Sequence, residues 1–277
     1  MTFSYLIPSI SALYPGHSCY VTGNLRGVGE RLLNGTGLVV QKIDVYAEGE
    51  SIFSNQIEHR FENGNLLGDP PSPFYWPAQS DHWPGGYLEN GFYTQDEAPL
   101  FSNKIPPSFY AIYSRAGNKS FFSDNTLKYS APSVIAQIAA YGKFVDGYPV
   151  VRIDRARNYG ETLVLINPYQ RPVIADVHSD TAGEIRRIRI EPNRTVHVRL
   201  DRLLKDSETA WSGQIQIGAT NRVITYIVKH SLADPLFITD HEHLDPYRGE
   251  STHLPGFSWF RLIVGFWLKN RPLRKLL

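Results

Sequence analysis

Between Thr162 and His230 the chain repeats one pattern six times: a short apolar-rich run, cut off by turn residues before it reaches ten residues. The runs are Thr162–Asn167, Pro172–His178, Glu184–Ile190, Thr195–Leu200, Ser212–Ile217 and Arg222–His230. Turn signals stand at Pro168–Arg171, Thr181–Gly183, Pro192-Asn193 and Ala219–Asn221, where Gly, Pro and Asn supply the backbone angles a reversal needs. Within the runs, Val196, Val198 and Leu200 alternate with His197 and Arg199, and Ile215 and Ile217 alternate with Gln214 and Gln216. A period of two puts one set on a buried face and the other on a wet one. No helical repeat separates the runs, so they predict an antiparallel sandwich or barrel and not a parallel α/β sheet.

The first half is β-rich but interrupted. Leu38–Tyr46, Ser51–Phe61 and Ser108–Arg115 read as strands, and Asp69–Tyr93, crowded with Pro, Gly and aromatic residues, reads as a long loop. Gly23–Gly37 also reads as a loop, since it lacks the Gly-Lys-Ser/Thr ending of a phosphate cradle. Asn103–Arg115 and Asn221–His230 both run from an Asn-basic turn into an aromatic-aliphatic strand, a hint of duplication. The polar stretch Ser123–Thr126 and Ser130-Ala-Pro132 mark a boundary; Ser133–Tyr141 reads as a helical turn or an extra strand. A chain of 277 residues accommodates two domains of ordinary size. The expected fold is all-β: two tandem antiparallel β-sandwich-like domains over 1–130 and 131–250, then a basic amphipathic helix over 251–277.

That tail differs in kind from what precedes it. Phe257–Leu277 holds Arg261, Lys269, Arg271, Arg274 and Lys275 and no acidic residue, whereas the chain as a whole is only +1, so the rest sums to −4. Nine of the twelve positions 257–268 are large and apolar. As a helix, Ser258, Arg261, Gly265 and Lys269 form one narrow stripe. Twelve residues reach about 18 Å, short of the roughly 30 Å hydrocarbon core, so the segment does not span a bilayer. It suits lying along one: Trp259, Phe260, Phe266 and Trp267 would enter the interface while the cations meet anionic lipid, at about 1 kcal/mol each. The other reading is a terminal helix docked on its own domain or on a partner subunit.

Composition excludes several classes. With 42% hydrophobic and 20% charged residues the chain is globular, and its near-neutral charge gives no case for nucleic acid. Its one cysteine, Cys19, rules out an internal disulfide framework and suits a reducing compartment. Met1–Ser11 lacks a basic start and a long apolar run, so no secretory signal is visible. The expected location is cytoplasmic, peripheral on the inner membrane face.

The segment Tyr159–Asp234 resembles the sensory rhodopsin transducer family in its order of elements. A strand ends in Ile166-Asn167-Pro168, Ile190–Leu200 follows a polar turn, and Ser212-Gly213 opens towards the strand Val223–Val228. The resemblance covers a little over a quarter of the chain. It implies a β-sandwich relay or binding module that meets membrane-bound photoreceptors, not an enzyme; this chain adds an N-terminal half and the tail.

Three kinds of candidate site follow. The aromatic loop, with Phe74, Tyr75, Trp76, Trp83 and Tyr87, offers rigid rings for a protein partner or a glycan, or else caps its own sandwich. Asp240-His-Glu-His243 places His241 and His243 on one face of an extended segment, a possible start for Zn²⁺, against the plainer reading of surface or interface histidines on an arm. Gly16–Tyr20 fails as a nucleophile elbow, with Tyr20 where a second glycine belongs, and Cys19 reads as a packed thiol. No cofactor is expected. The reading is a non-catalytic accessory or scaffold subunit on the cytoplasmic face of a membrane complex, a light-responsive or photosynthetic one by the resemblance. The alternative is a carbohydrate-binding protein or carbohydrate-active enzyme using the aromatic loop.

Overall fold

Short strand-forming runs bounded by turns build antiparallel ladders across the described residues. The computed structural model describes residues 4–22, 36–68, 73–94, 110–116, 119–124, 126–127, 144–219, 223–243 and 246–248. Their regular structure is all-β apart from one 3-10 turn, Asp201–Leu203. The expected tail helix, Ser133–Tyr141 and most of Gly23–Gly37 lie outside the described residues. The chain divides into two units, Met1–Tyr129 with Ile238–His243, and Ser130–Phe237 with Leu244–Leu277.

The first unit holds two sheets. In the larger, β1 (Ser4–Leu13), β3 (Gly37–Ala47), β4 (Glu50–Glu62), β5 (Asn65–Leu67), β7 (Gly86–Thr94) and β10 (Thr126-Leu127) lie in the order β10-β1-β7-β3-β4-β5. Two of its hairpins are as short as hairpins can be. Glu48-Gly49 joins β3 to β4 and Asn63-Gly64 joins β4 to β5, with φ of 52° and 93°, then 50° and 78°. Left-handed angles at both central positions are what a two-residue turn matched to strand twist requires, and Gly supplies one of each pair without strain. The smaller sheet orders β2 (His17–Thr22), β6 (Phe74–Trp76), β8 (Tyr110–Arg115) and β9 (Lys119–Asp124) as β6-β2-β8-β9.

The stretch 69–93, expected as a loop, is corrected here: it contains β6 and nearly all of β7, which is the strand between β1 and β3. Its polar Glu89 and Asn90, 5% and 2% exposed, broke the apolar signal. Asn90 is accommodated because its Oδ1 accepts from Gln41 Nε2 at 3.0 Å, and Gln41 Oε1 in turn meets His59 Nε2 at 2.9 Å. Buried polar groups satisfied in this way cost little.

The second unit is a sandwich in the sense that two ladders share one core. β11 (Phe144–Asp154) pairs with β16 (Ala210–Ala219), which continues through β13 (Val173–Ser179) to β14 (Gly183–Ile190). β12 (Tyr159–Asn167) lies between β15 (Arg194–Arg199) and β17 (Ile224–Ser231). One register pair, Asp154↔Tyr159, joins the two ladders; β19 (Pro246–Arg248) adds to β11. Val151, Leu163, Leu165, Val177, Ile217 and Ile227, from both ladders, fall in one fully buried cluster. At about 1.5–3 kcal/mol per buried aliphatic side chain, this cluster dominates the unit's stability. Asn167, 0% exposed, pins one end: its Nδ2 donates to the carbonyls of Arg171, Ile190 and Glu191, and its Oδ1 accepts from the Tyr169 amide.

Candidate binding surface

Over Cys19–Val21, Phe74–Trp76 and Tyr110–Tyr113 the small sheet of the first unit alternates, and what it turns outward there is mostly aromatic. On β2, Cys19 and Val21 are buried while Tyr20 is 43% exposed; on β8, Ala111 and Tyr113 are fully buried while Tyr110 and Ile112 are 40% and 37% exposed. On β6, Tyr75 is 47% exposed. Register aligns them: Tyr20 stands directly opposite Tyr75 on one side and Ile112 on the other. Three large residues therefore form a row about 10 Å across three strands, with Tyr110 two positions from Ile112 on the same face. The Tyr20 and Tyr75 ring centroids are 4.5 Å apart at 39°. Each ring thus covers one face of the other and leaves its remaining face, edge and hydroxyl outward.

The inward side of the same strands holds this row flat. Phe74 and Trp76, half-buried, meet Phe53 of β4 at 5.3 and 6.0 Å between centroids. Tyr113 stacks on Phe121 at 4.7 Å and 12° and donates from its hydroxyl to the Ala12 carbonyl at 2.7 Å. Cys19 lies among them, 1% exposed. Burial pushes its thiol up to about 12, against the opposing pull of a hydrogen bond with Tyr113, so no thiolate forms near neutrality.

Of the aromatic residues singled out in the sequence, the structure separates those facing out from those facing in. Tyr75 faces out. Phe74 and Trp76 face in, and the Trp76 Nε1 is buried without a hydrogen-bond partner among the described residues. Trp83 is half-buried, 3.3 Å at its Cη2 from where a Cβ on Gly86 would be. Tyr87 lies in the core at 0% exposure, stacked on Tyr46 at 4.9 Å and 16°. Burial, then the Asp44 and Glu89 carboxylates, push the Tyr46 phenol up to about 12; burial, then Glu89, raise Tyr87 as well. Tyr20, Tyr110 and Ile112 were missed, because Tyr110-Ala-Ile-Tyr113 is apolar at every position and reads as a doubly buried strand.

The histidine segment is β18 (Ile238–His243), and the extended arm expected there is a strand. His241 is 3% exposed, and its Nδ1 lies 2.6 Å from the Tyr14 hydroxyl. Its ring also packs edge-on against Tyr113 and Phe121 at 5.1 and 5.6 Å. Among the described residues no group of three His, Cys, Asp or Glu is arranged to hold a metal ion. The membrane-binding candidates Trp259, Phe260, Arg261, Phe266, Trp267, Lys269, Arg271, Arg274 and Lys275 lie outside the described residues. Among those described, no helix is long and apolar enough to cross a membrane.

No protein-family model matches the chain, and no curated protein matches it. A solved structure described as "Biofilm associated protein - BSP domain" aligns with 88% of this chain at 10% identity and a TM-score of 0.24. The chain spans 59% of that structure's length. A likeness at this level carries no functional argument.

Proposed function

We propose that this protein is a non-catalytic binding subunit that contacts a partner protein through Tyr20, Tyr75, Ile112 and Tyr110. The observation that carries the reading is the outward aromatic row, in register across three strands whose opposite side is packed. Rings and aliphatics clustered on a rigid sheet are the composition of interface hot spots, where a few residues supply most of the affinity. The mutual cover of Tyr20 and Tyr75 favours a protein over a sugar, because a pyranose stacks on an open ring face and here one face of each ring is taken. The membrane side of the proposal rests on the +5 charge and apolar run of Phe257–Leu277, which suit peripheral attachment at the cytoplasmic face. Two tandem sandwich-like domains would then present the row from that anchor. The resemblance of Tyr159–Asp234 to sensory rhodopsin transducers makes a membrane-bound, light-responsive complex the partner class to try first.

Flotation separates the parts of this reading. Full-length protein is expected to float with anionic vesicles and with native membranes, and a chain ending at Leu254 to lose vesicle binding and keep only the salt-resistant binding to native membranes that the row supplies. The variant Tyr20→Ser/Tyr75→Ser/Ile112→Ser should keep vesicle binding and lose the extra, salt-resistant binding to native membranes. Wild-type behaviour in that variant would sink the proposal. Release of the wild type by free oligosaccharide would replace it with the carbohydrate-binding reading.

A further inference from the structure

The strand β4 is bordered by β3 along its length, from Ala47↔Glu50 to Gly37↔Phe61. On its other side β5 covers only Arg60, Phe61 and Glu62. Among the described residues nothing pairs with that outer edge from Glu50 to His59. Residues 50–58 are all exposed except the half-buried Phe53, and Ile52 and Ile57 are 48% and 37% exposed. A bulge at Ile52, where Val45↔Phe53 gives way to Tyr46↔Ser51, leaves a regular open ladder from Phe53 to His59. This stretch has no proline, lysine or arginine, residues that ordinarily help keep an edge from pairing. Alternate amides and carbonyls on such an edge point outward, and the structure that satisfies them all is another strand.

The stretch is also complementary to itself. An antiparallel two-fold pairing centred on Asn55 sets Phe53 opposite Ile57 twice, apolar on apolar on one face, and Ser54 opposite Gln56, polar on polar on the other. Centring on Ser54 would set Glu50 against Glu58, like charges that repel across a ladder. Centring on Gln56 would oppose Phe53 to His59 and Ile57 to Asn55, losing the apolar pairs. We infer that β4 pairs with β4 of a second copy, centred on Asn55, joining the two large sheets into one. This rests on the edge of the large sheet and is independent of the aromatic row.

Light scattering of the full-length chain on a sizing column, across a dilution series, is expected to give twice the 31.4 kDa chain mass. Ile57→Lys should return it to the single-chain mass, since it places a cation opposite Phe53 at both ends of the ladder. Directly opposed Cα atoms in an antiparallel pair are about 4.5–5.5 Å apart, within disulfide reach. Asn55→Cys should therefore form a covalent dimer under mild oxidation, whereas Ser54→Cys and Gln56→Cys should not; the native Cys19 is buried and stays silent. A monomer at every concentration overturns the inference. So does a dimer that survives Ile57→Lys, or crosslinking at Ser54 or Gln56 as ready as at Asn55. If Ile57→Lys loses its far-ultraviolet β signal, the cysteine series decides alone.

Discussion

Asn167 does with one amide what a turn of four residues, 168–171, cannot do for itself. Its side chain closes that turn onto the ends of β12 and β14 with four hydrogen bonds in a position of zero exposure. Replacing it by alanine leaves several buried carbonyls short of a donor, at about 2–3 kcal/mol. Urea unfolding should show that loss, and Asn167→Asp should show it too, because a carboxylate keeps the shape but not the donor. An aspartate variant as stable as wild type would mean the donated bonds contribute little. Three histidines set a second residue-scale expectation. Burial lowers His59, His197 and His230 from the ordinary 6.5, and the smaller influences around His230 do not reverse it. Each folded ring therefore binds its proton at lower pH than in the unfolded chain. The stability they contribute is present above 6.5 and is lost as pH falls below it towards the folded values. Thermal midpoints should drop between pH 7 and about 5.5, above the range in which ordinary carboxylates titrate. His59→Gln and His230→Gln should flatten that drop; an unchanged slope in both would reject the assignment.

Among the elements, β7 shows where reading a strand from sequence reaches its limit. A Cβ on Gly86 would come 2.1 Å from the Tyr46 carbonyl oxygen, so the glycine is there to let β3 and β7 approach. Gly86→Ala should push these strands apart at Ala47↔Gly86 and cost about 2–3 kcal/mol by overpacking. A loss of near-ultraviolet signal from the stacked Tyr46 and Tyr87 should accompany it, and an alanine variant with wild-type melting would contradict this account. In sequence, that glycine follows Pro84-Gly85 and precedes a Glu-Asn-Gly interruption, so it reads as loop chemistry. Six strands of the second unit, β12 to β17, were legible because turn residues bound short apolar runs, although β12 is buried on both faces; β11 was not read as a strand. β7 and β18 were not, because their buried positions are held by polar residues whose partners, Gln41 for Asn90 and Tyr14 for His241, are distant in sequence. The binding row was half legible for a related reason: aromatic content pointed to 74–76, but which ring faces out depends on pairing with β2 and β8. Of the residues proposed to bind, only Tyr75 belonged to the sequence-level set.

At the scale of the whole molecule, the first unit is not a continuous piece of chain. Ile238–His243 belongs to it although Ser130–Phe237 of the second unit lies between in sequence. His241 is the contact to test: His241→Ala should remove one hydrogen-bond partner of the Tyr14 hydroxyl and open a cavity beside Tyr113 and Phe121. Hydrogen exchange should then quicken in β2, β8 and β9 and stay unchanged around Asn167. Equal quickening in both units would mean that His241 acts on the molecule as a whole. The same connectivity has a consequence during synthesis. A ribosome that has made Tyr129 must still translate Ser130–Phe237 of the second unit before β18 exists, roughly 5–20 s at ordinary elongation rates. For that interval Tyr14, Tyr113 and Phe121 await the ring that completes their packing, so the unit begun first at the ribosome cannot close until most of the other has been made.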